Sequence, residues 1–268
     1  MDFPQALRAY RSRSRLSQLE LAVRAGTSQR YVSFVESGRS QAGRGMVVRL
    51  GEALALPLRE RNSLLALAGF APVYPETPWE EEGLEPVRSA IGHILDGHLP
   101  FPAVVVERHG DLVAENAAFA LVRGEGVASW LLEPPVNVYR LALHPQGIRP
   151  RIENFDVWAR HVIEGLRRTA LATPDERALD LLAELERYVP EEPPEAGHLG
   201  FAVPLELRSP LGLLRLLTTV TTFATAVDVT VAELRLEAFL PADAATAGAL
   251  SAANSAAIAE RTQTEGRA

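Results

Sequence analysis

The chain has 268 residues, 47% hydrophobic and 23% charged, globular values that suffice for about two domains. It has no cysteine, which excludes a disulfide scaffold, a thiolate metal site and a cysteine nucleophile and points to the reducing cytoplasm. The net charge of −7 conceals an asymmetry: residues 1–70 hold 11 arginines against 5 acids, and residues 71–268 hold 16 against 29. A basic head on an acidic body directs an anionic partner to the head alone. No stretch reaches the roughly 20 continuous apolar residues of a membrane span, and the start lacks the basic and apolar regions of a signal peptide, so no membrane partner is expected.

Residues 5–70 read as five short helices. Leu7 and Tyr10 mark the first. Ser17 and Glu20 form a capping box for the second, whose apolar members are Leu19, Leu21, Ala22 and Val23 and which Gly26 stops. The third runs from Ser28 to Glu36 with Val32 and Val35 inward, and Gly38 ends it. Met46, Val47, Leu50 and Leu54 mark the fourth, and Leu58 to Ala68 the fifth, with Pro57 near its start. Proline density and the change in charge then set a boundary: a DNA-binding domain over 1–72, a linker over 73–85 and a second domain over 86–260.

Pro86 to Gly97 reads as a helix. Ala103 to Glu107 and Leu112 to Glu115 read as a strand pair, and Asn116 as the cap of a short helix. Two helices are expected within 155–189, separated by Thr173-Pro174-Asp175. Three strands follow. The first alternates Phe201, Val203, Leu205 and Leu207; the second spans Leu213 to Phe223. The third spans Val229 to Leu240, with Glu233, Arg235 and Glu237 outward. Asp243 caps a last, Ala-rich helix, and 260–268 read as a frayed tail. The layout is α+β, with a five-stranded antiparallel sheet covered on one face.

The most specific signal is Leu16-Ser17-Gln18-Leu19-Glu20-Leu21-Ala22, then Gly26-Thr27-Ser28-Gln29-Arg30-Tyr31-Val32-Ser33. A short helix, a glycine-containing turn and a second helix make a helix-turn-helix, in which the second helix enters the major groove. Ser28, Gln29, Arg30 and Ser33 lie on its exposed side, where Gln pairs with adenine and Arg with guanine. Arg11, Arg13, Arg15, Arg39 and Arg44 flank the motif as candidate phosphate contacts. Residues 5–70 resemble the phage-repressor-like (XRE) helix-turn-helix family. The resemblance implies a phosphate contact at Gln18 and base-facing positions at Gln29, Arg30 and Ser33, with Phe34 standing where such repressors often carry a polar reader.

In the body, Arg108 to Phe119 resembles the opening hairpin of PAS-type sensor domains. Together with the helix-turn-helix, Gly69-Phe70-Ala71-Pro72, Pro134-Pro135-Val136-Asn137-Val138, Leu143-His144-Pro145 and Phe239-Leu240-Pro241-Ala242-Asp243, the whole chain resembles the MmyB-like transcriptional regulators. That resemblance implies a PAS-like ligand-binding domain with a fatty acid as ligand, and no other cofactor. On the residues themselves, an acyl pocket needs an apolar lining and a cation at its mouth. Leu214, Leu216, Val220 and Phe223 with Trp158 and Ile163 are candidates for the lining, and Arg140, Arg160 or His161 for the cation. A plain hydrophobic core explains the same pattern. The six histidines show no metal-ligand spacing, and no nucleophile motif or phosphate-binding glycine loop is present, so no enzyme is expected. The expected function is a ligand-responsive, sequence-specific regulator that binds double-stranded DNA as a homodimer. The alternative is a DNA-binding protein whose body only dimerises or docks a protein partner.

Overall fold

Asp2 opens the first helix with a complete capping box, accepting from the Gln5 amide at 2.9 Å while the Gln5 side chain accepts from its own. The computed structural model describes residues 1–172, 175–190 and 202–265. They form two compact units, one of Met1–Glu81 with Phe223–Ala232, the other of Glu82–Thr222 with the chain from Glu233 onward.

The first unit holds α1 (Phe3–Arg13), α2 (Gln18–Arg24), α3 (Gln29–Glu36), α4 (Arg44–Ala53) and α5 (Leu58–Leu67). Leu7, Leu21, Val32, Val35, Leu50 and Leu64 are fully buried at their common core. The Ser17–Glu20 box forms as the sequence predicts. Leu19 and Val23, read as apolar members of α2, stay 55% and 71% exposed instead, because only the Leu21–Ala22 side of so short a helix meets the core. Residues read as the start of a linker are held down: Asn62 accepts from the amides of Val73 and Tyr74 and donates to the Tyr74 carbonyl.

The second unit begins with α6 (Glu85–Gly97) and the pair β1 (Ala103–Val106) and β2 (Leu112–Glu115). Then come α7 (Phe119–Arg123), α8 (Val138–Leu143), α9 (Phe155–Ala172) and α10 (Glu176–Glu186). The strands β3 (Leu205–Ser209), β4 (Gly212–Thr222) and β5 (Arg235–Pro241) follow, and α12 (Ala244–Glu265) comes last; between β4 and β5 in the chain lies α11 (Val229–Glu233), all but its last residue in the first unit. The sheet is antiparallel with order β2-β1-β5-β4-β3. Phe201, Thr173 and Pro174 lie outside the described residues.

Four expectations are corrected. At β1 and β5 the sheet is buried on both faces, not one: Val104, Leu207, Leu216 and Phe239 join the core under α7–α10, while the alternate set Val105, Leu236 and Ala238 is buried too, with α6 packed on β1 and β2 and α12 on β4 and β5. The third late strand begins at Arg235 rather than Val229. Asp228 accepts from the amides of Thr230 and Val231 and from the amide and hydroxyl of Thr77, so a capped turn of helix overrides the β-branched run. Asn116 does not cap α7 with its side chain. It is buried and stitches Ala103, Leu95 and Phe101 together. The last helix runs to Glu265, with Asp243 accepting from the Thr246 amide at 2.7 Å.

Candidate functional site

In the first unit, Gly26 turns the chain between α2 and α3 at a φ of +63°, a conformation that side chains rarely adopt. Ser28 then caps α3, its hydroxyl accepting from the Tyr31 amide at 3.1 Å. With Val32 and Val35 turned fully into the core, Gln29 and Arg30 stand exposed and Ser33 half-buried beside them. The Arg30 guanidinium lies 5.1 Å from the Phe34 ring centre and that of Arg39 lies 6.0 Å from it. Phe34 therefore serves as an apolar platform carrying two cations.

What orients α3 is an ion-pair hub that sequence reasoning missed. Glu36, at its last turn, accepts from Arg11 Nε at 2.6 Å, Arg11 Nη2 at 2.9 Å and Gln18 Nε2 at 2.8 Å. Arg11 also donates to the Leu16 carbonyl at 2.8 Å. One carboxylate thus ties α1, α2 and α3 together. Burial pushes its pKa up, but the hydrogen bonds from Arg11 and Gln18, with the Arg11 charge, outweigh burial and hold it below the usual carboxylate range. Arg11 is consequently structural, and Arg13 is engaged by Glu60 and Tyr10. Arg15, Arg39 and Arg44 remain exposed on the same unit. The one signal for the hub in the sequence was an acid placed among so many arginines.

The second unit has a half-open cavity of about 430 Å³ between the sheet and the helices α7–α9. Val104, Phe119, Val138, Leu141, Trp158 and Phe239 contribute to a mostly apolar wall. His161 and Arg168, both exposed, stand at its rim. Tyr139, Arg235 and Glu237 add a polar patch within it, where Tyr139 Oη donates to Glu237 Oε1 at 3.4 Å. Burial pushes the Tyr139 hydroxyl up, helped by the Glu237 charge, and burial likewise pushes the Glu237 carboxyl up.

Of the residues singled out from the sequence, Trp158 lines this cavity. Leu216 is fully buried in the core beside it, while its strand neighbours Leu217, Thr218 and Val220 form the wall. Arg140 is gripped by both oxygens of Glu184, at 2.9 and 2.8 Å, and borders a separate polar depression with Asn137 and Asp180. Arg160 donates to the Pro190 carbonyl at 2.9 Å. Phe223 lies past the end of β4, in the segment that belongs to the first unit. Glu237, expected to face solvent, is a wall residue, because the sheet face it occupies is the one under α7–α9.

Residues 3–64 match a helix-turn-helix domain family, and residues 87–253 match the MmyB-like transcription regulator ligand binding domain. No curated protein matches the chain significantly. Among the described residues, no helix is long and apolar enough to cross a membrane. With a helix-turn-helix ahead of a five-stranded ligand-binding domain, the chain belongs to the MmyB-like transcription regulators, which join DNA binding to ligand binding.

Proposed function

We propose that the protein is a sequence-specific regulator, not an enzyme, in which Gln29, Arg30 and Ser33 read bases and Gln18, Ser28, Arg39 and Arg44 meet phosphates. In this reading the cavity holds a small apolar ligand of the fatty-acid type, and a homodimer sets two reading heads on two half-sites. The observation that carries it is the exposed polar face of α3 on a basic unit, in one chain with a mostly apolar cavity. Ligand control follows by linkage: a ligand that favours one conformation of the body changes DNA affinity by that preference and no more.

Gln29→Ala and Arg30→Ala should each cost about 1–3 kcal/mol on the cognate operator and far less on random DNA. Titration on both DNAs checks this; equal losses on the two would make these residues phosphate contacts. Loss of Arg39 or Arg44 should instead weaken binding on all sequences alike and lower its salt dependence.

For the cavity, a series from octanoate to palmitate should show affinity rising with length until the space is filled. Each methylene taken out of water contributes roughly 0.8 kcal/mol before ordering costs. Calorimetry reads this directly, and affinity indifferent to chain length would remove the acyl ligand from the proposal.

A further inference from the structure

The cavity opens where its wall is exposed. Most of its lining residues are buried or half-buried; the exposed ones are His161 and Arg168 on α9 and Thr218 and Val220 on β4. Gly165 stands between the first two on the same side of α9, four residues after His161 and three before Arg168. It lines the cavity as well, and a Cβ built on it would meet nothing within 4 Å. The helix thus leaves a gap at the mouth, with His161 a turn to one side and Arg168 a turn to the other.

Arg168 is chemically available there. Its neighbour Arg167 is held by Glu186 at 2.6 Å, and Arg140 by Glu184 at 2.8 Å. Among the described residues Arg168 meets no such carboxylate; its Nε donates one long bond, 3.4 Å, to the Glu164 carbonyl of its own helix. His161 Nδ1 stands 3.9 Å from Glu164 Oε2, beyond hydrogen-bond reach. The other arginine of the wall, Arg235, is already engaged, its charge acting on the Tyr139 hydroxyl and the Glu237 carboxyl. Arg235 is also half-buried, so an ionised head drawn to it gives up more water than one left at the mouth.

Taking the cavity as the ligand site proposed above, we infer that His161, Gly165 and Arg168 form its portal, which a single-chain carboxylate enters tail first, leaving its head outside against Arg168. The apolar wall takes the tail, and the glycine makes room for the first methylenes. The guanidinium meets the carboxylate with two parallel hydrogen bonds. Because Arg168 is exposed, solvent screens that pair. The tail therefore supplies most of the affinity, and the head sets the direction.

Calorimetry on the full chain at pH 8, with decanoate and methyl decanoate each kept below its aggregation limit, tests the inference. Added salt should weaken decanoate and spare the uncharged ester. In Arg168→Glu, which turns an attraction into a repulsion, decanoate should weaken about tenfold while the ester is unchanged. In Gly165→Leu both probes should weaken about tenfold or more, because the new side chain takes the place of the methylenes in the mouth. Both variants should fold: Arg168 makes no bond beyond its own helix among the described residues, and leucine at 165 faces open space in a helix it favours. Undiminished decanoate binding in Arg168→Glu places the head elsewhere and overturns the inference, as does an ester that falls equally with it. Wild-type affinity for both probes in Gly165→Leu overturns the portal. Each of these results leaves the cavity as the ligand site, since the wild type still binds. Absence of binding by both probes to the wild type overturns both readings.

Discussion

Glu36→Ala should destabilise the first unit by about 3 kcal/mol, the cost of stranding a charge from a largely buried pair. The Glu36 side chain is 3% exposed and that of Arg11 14%, so removing the carboxylate leaves the guanidinium with only the Leu16 carbonyl and frees the Gln18 amide. Glu60→Ala is the matched control. Its partner Arg13 is 34% exposed, and such half-open pairs contribute at most about 1 kcal/mol. Urea unfolding of the two variants should therefore separate clearly, and equal midpoints would deny the hub any special standing. The same pair sets an acid limit. Because the folded-state pKa of Glu36 is lowered, its contribution is fully present above the pKa of an unfolded glutamate and is lost as pH falls through the depressed value. Wild type should lose stability in that window, and Glu36→Ala should show a flatter profile there. Since the hub joins the three helices that place Gln29 and Arg30, operator affinity should fall with it even though the Glu36 side chain is itself buried.

The reading head was legible because its signals are local. Ser17 with Glu20, Ser28, and the glycines at 26 and 38, both at positive φ, announce their helices within a few residues. The body was legible in its strands and not in its cavity. Periodicity places Arg235 and Glu237 on one face of β5 but does not say which layers cover that face, and here both faces are covered. Arg140 has the chemistry of a carboxylate clamp, but its carboxylate is Glu184, a partner 44 residues away that no local pattern announces. The run from Val229 to Glu233 has the composition of a strand and becomes a helix because Asp228 caps it. For Arg140 a tertiary partner, and for Val229–Glu233 a neighbouring cap, outweighed the preference the pattern suggested.

Gly110→Ala should be strongly damaging for a single-methyl change, by about 3 kcal/mol or more. Gly110 turns the chain between β1 and β2 at a φ of +85°, a conformation costing about 1–2 kcal/mol for a residue with a Cβ. The added methyl would also overlap the Tyr139 ring, and such overpacking costs a further 1–3 kcal/mol or so. Neither side can retreat easily. The Gly110 carbonyl accepts from the Val138 amide at 2.8 Å, and Asn137 donates to the His109 carbonyl at 2.8 Å and to Asp111 at 3.0 Å, so the turn and the start of α8 are pinned together. Tyr139 has to swing, and with it goes its hydrogen bond to Glu237. Gly212→Ala supplies the comparison: its φ is +97° but no atom lies within 4 Å of the new methyl, so it should cost only the conformational part, about 1–2 kcal/mol. Chemical denaturation followed by tryptophan fluorescence, together with decanoate titration, should show Gly110→Ala worse on both counts. If the two alanine variants unfold alike and bind alike, Tyr139 yields freely, and its ring is not what positions the hydroxyl against Glu237.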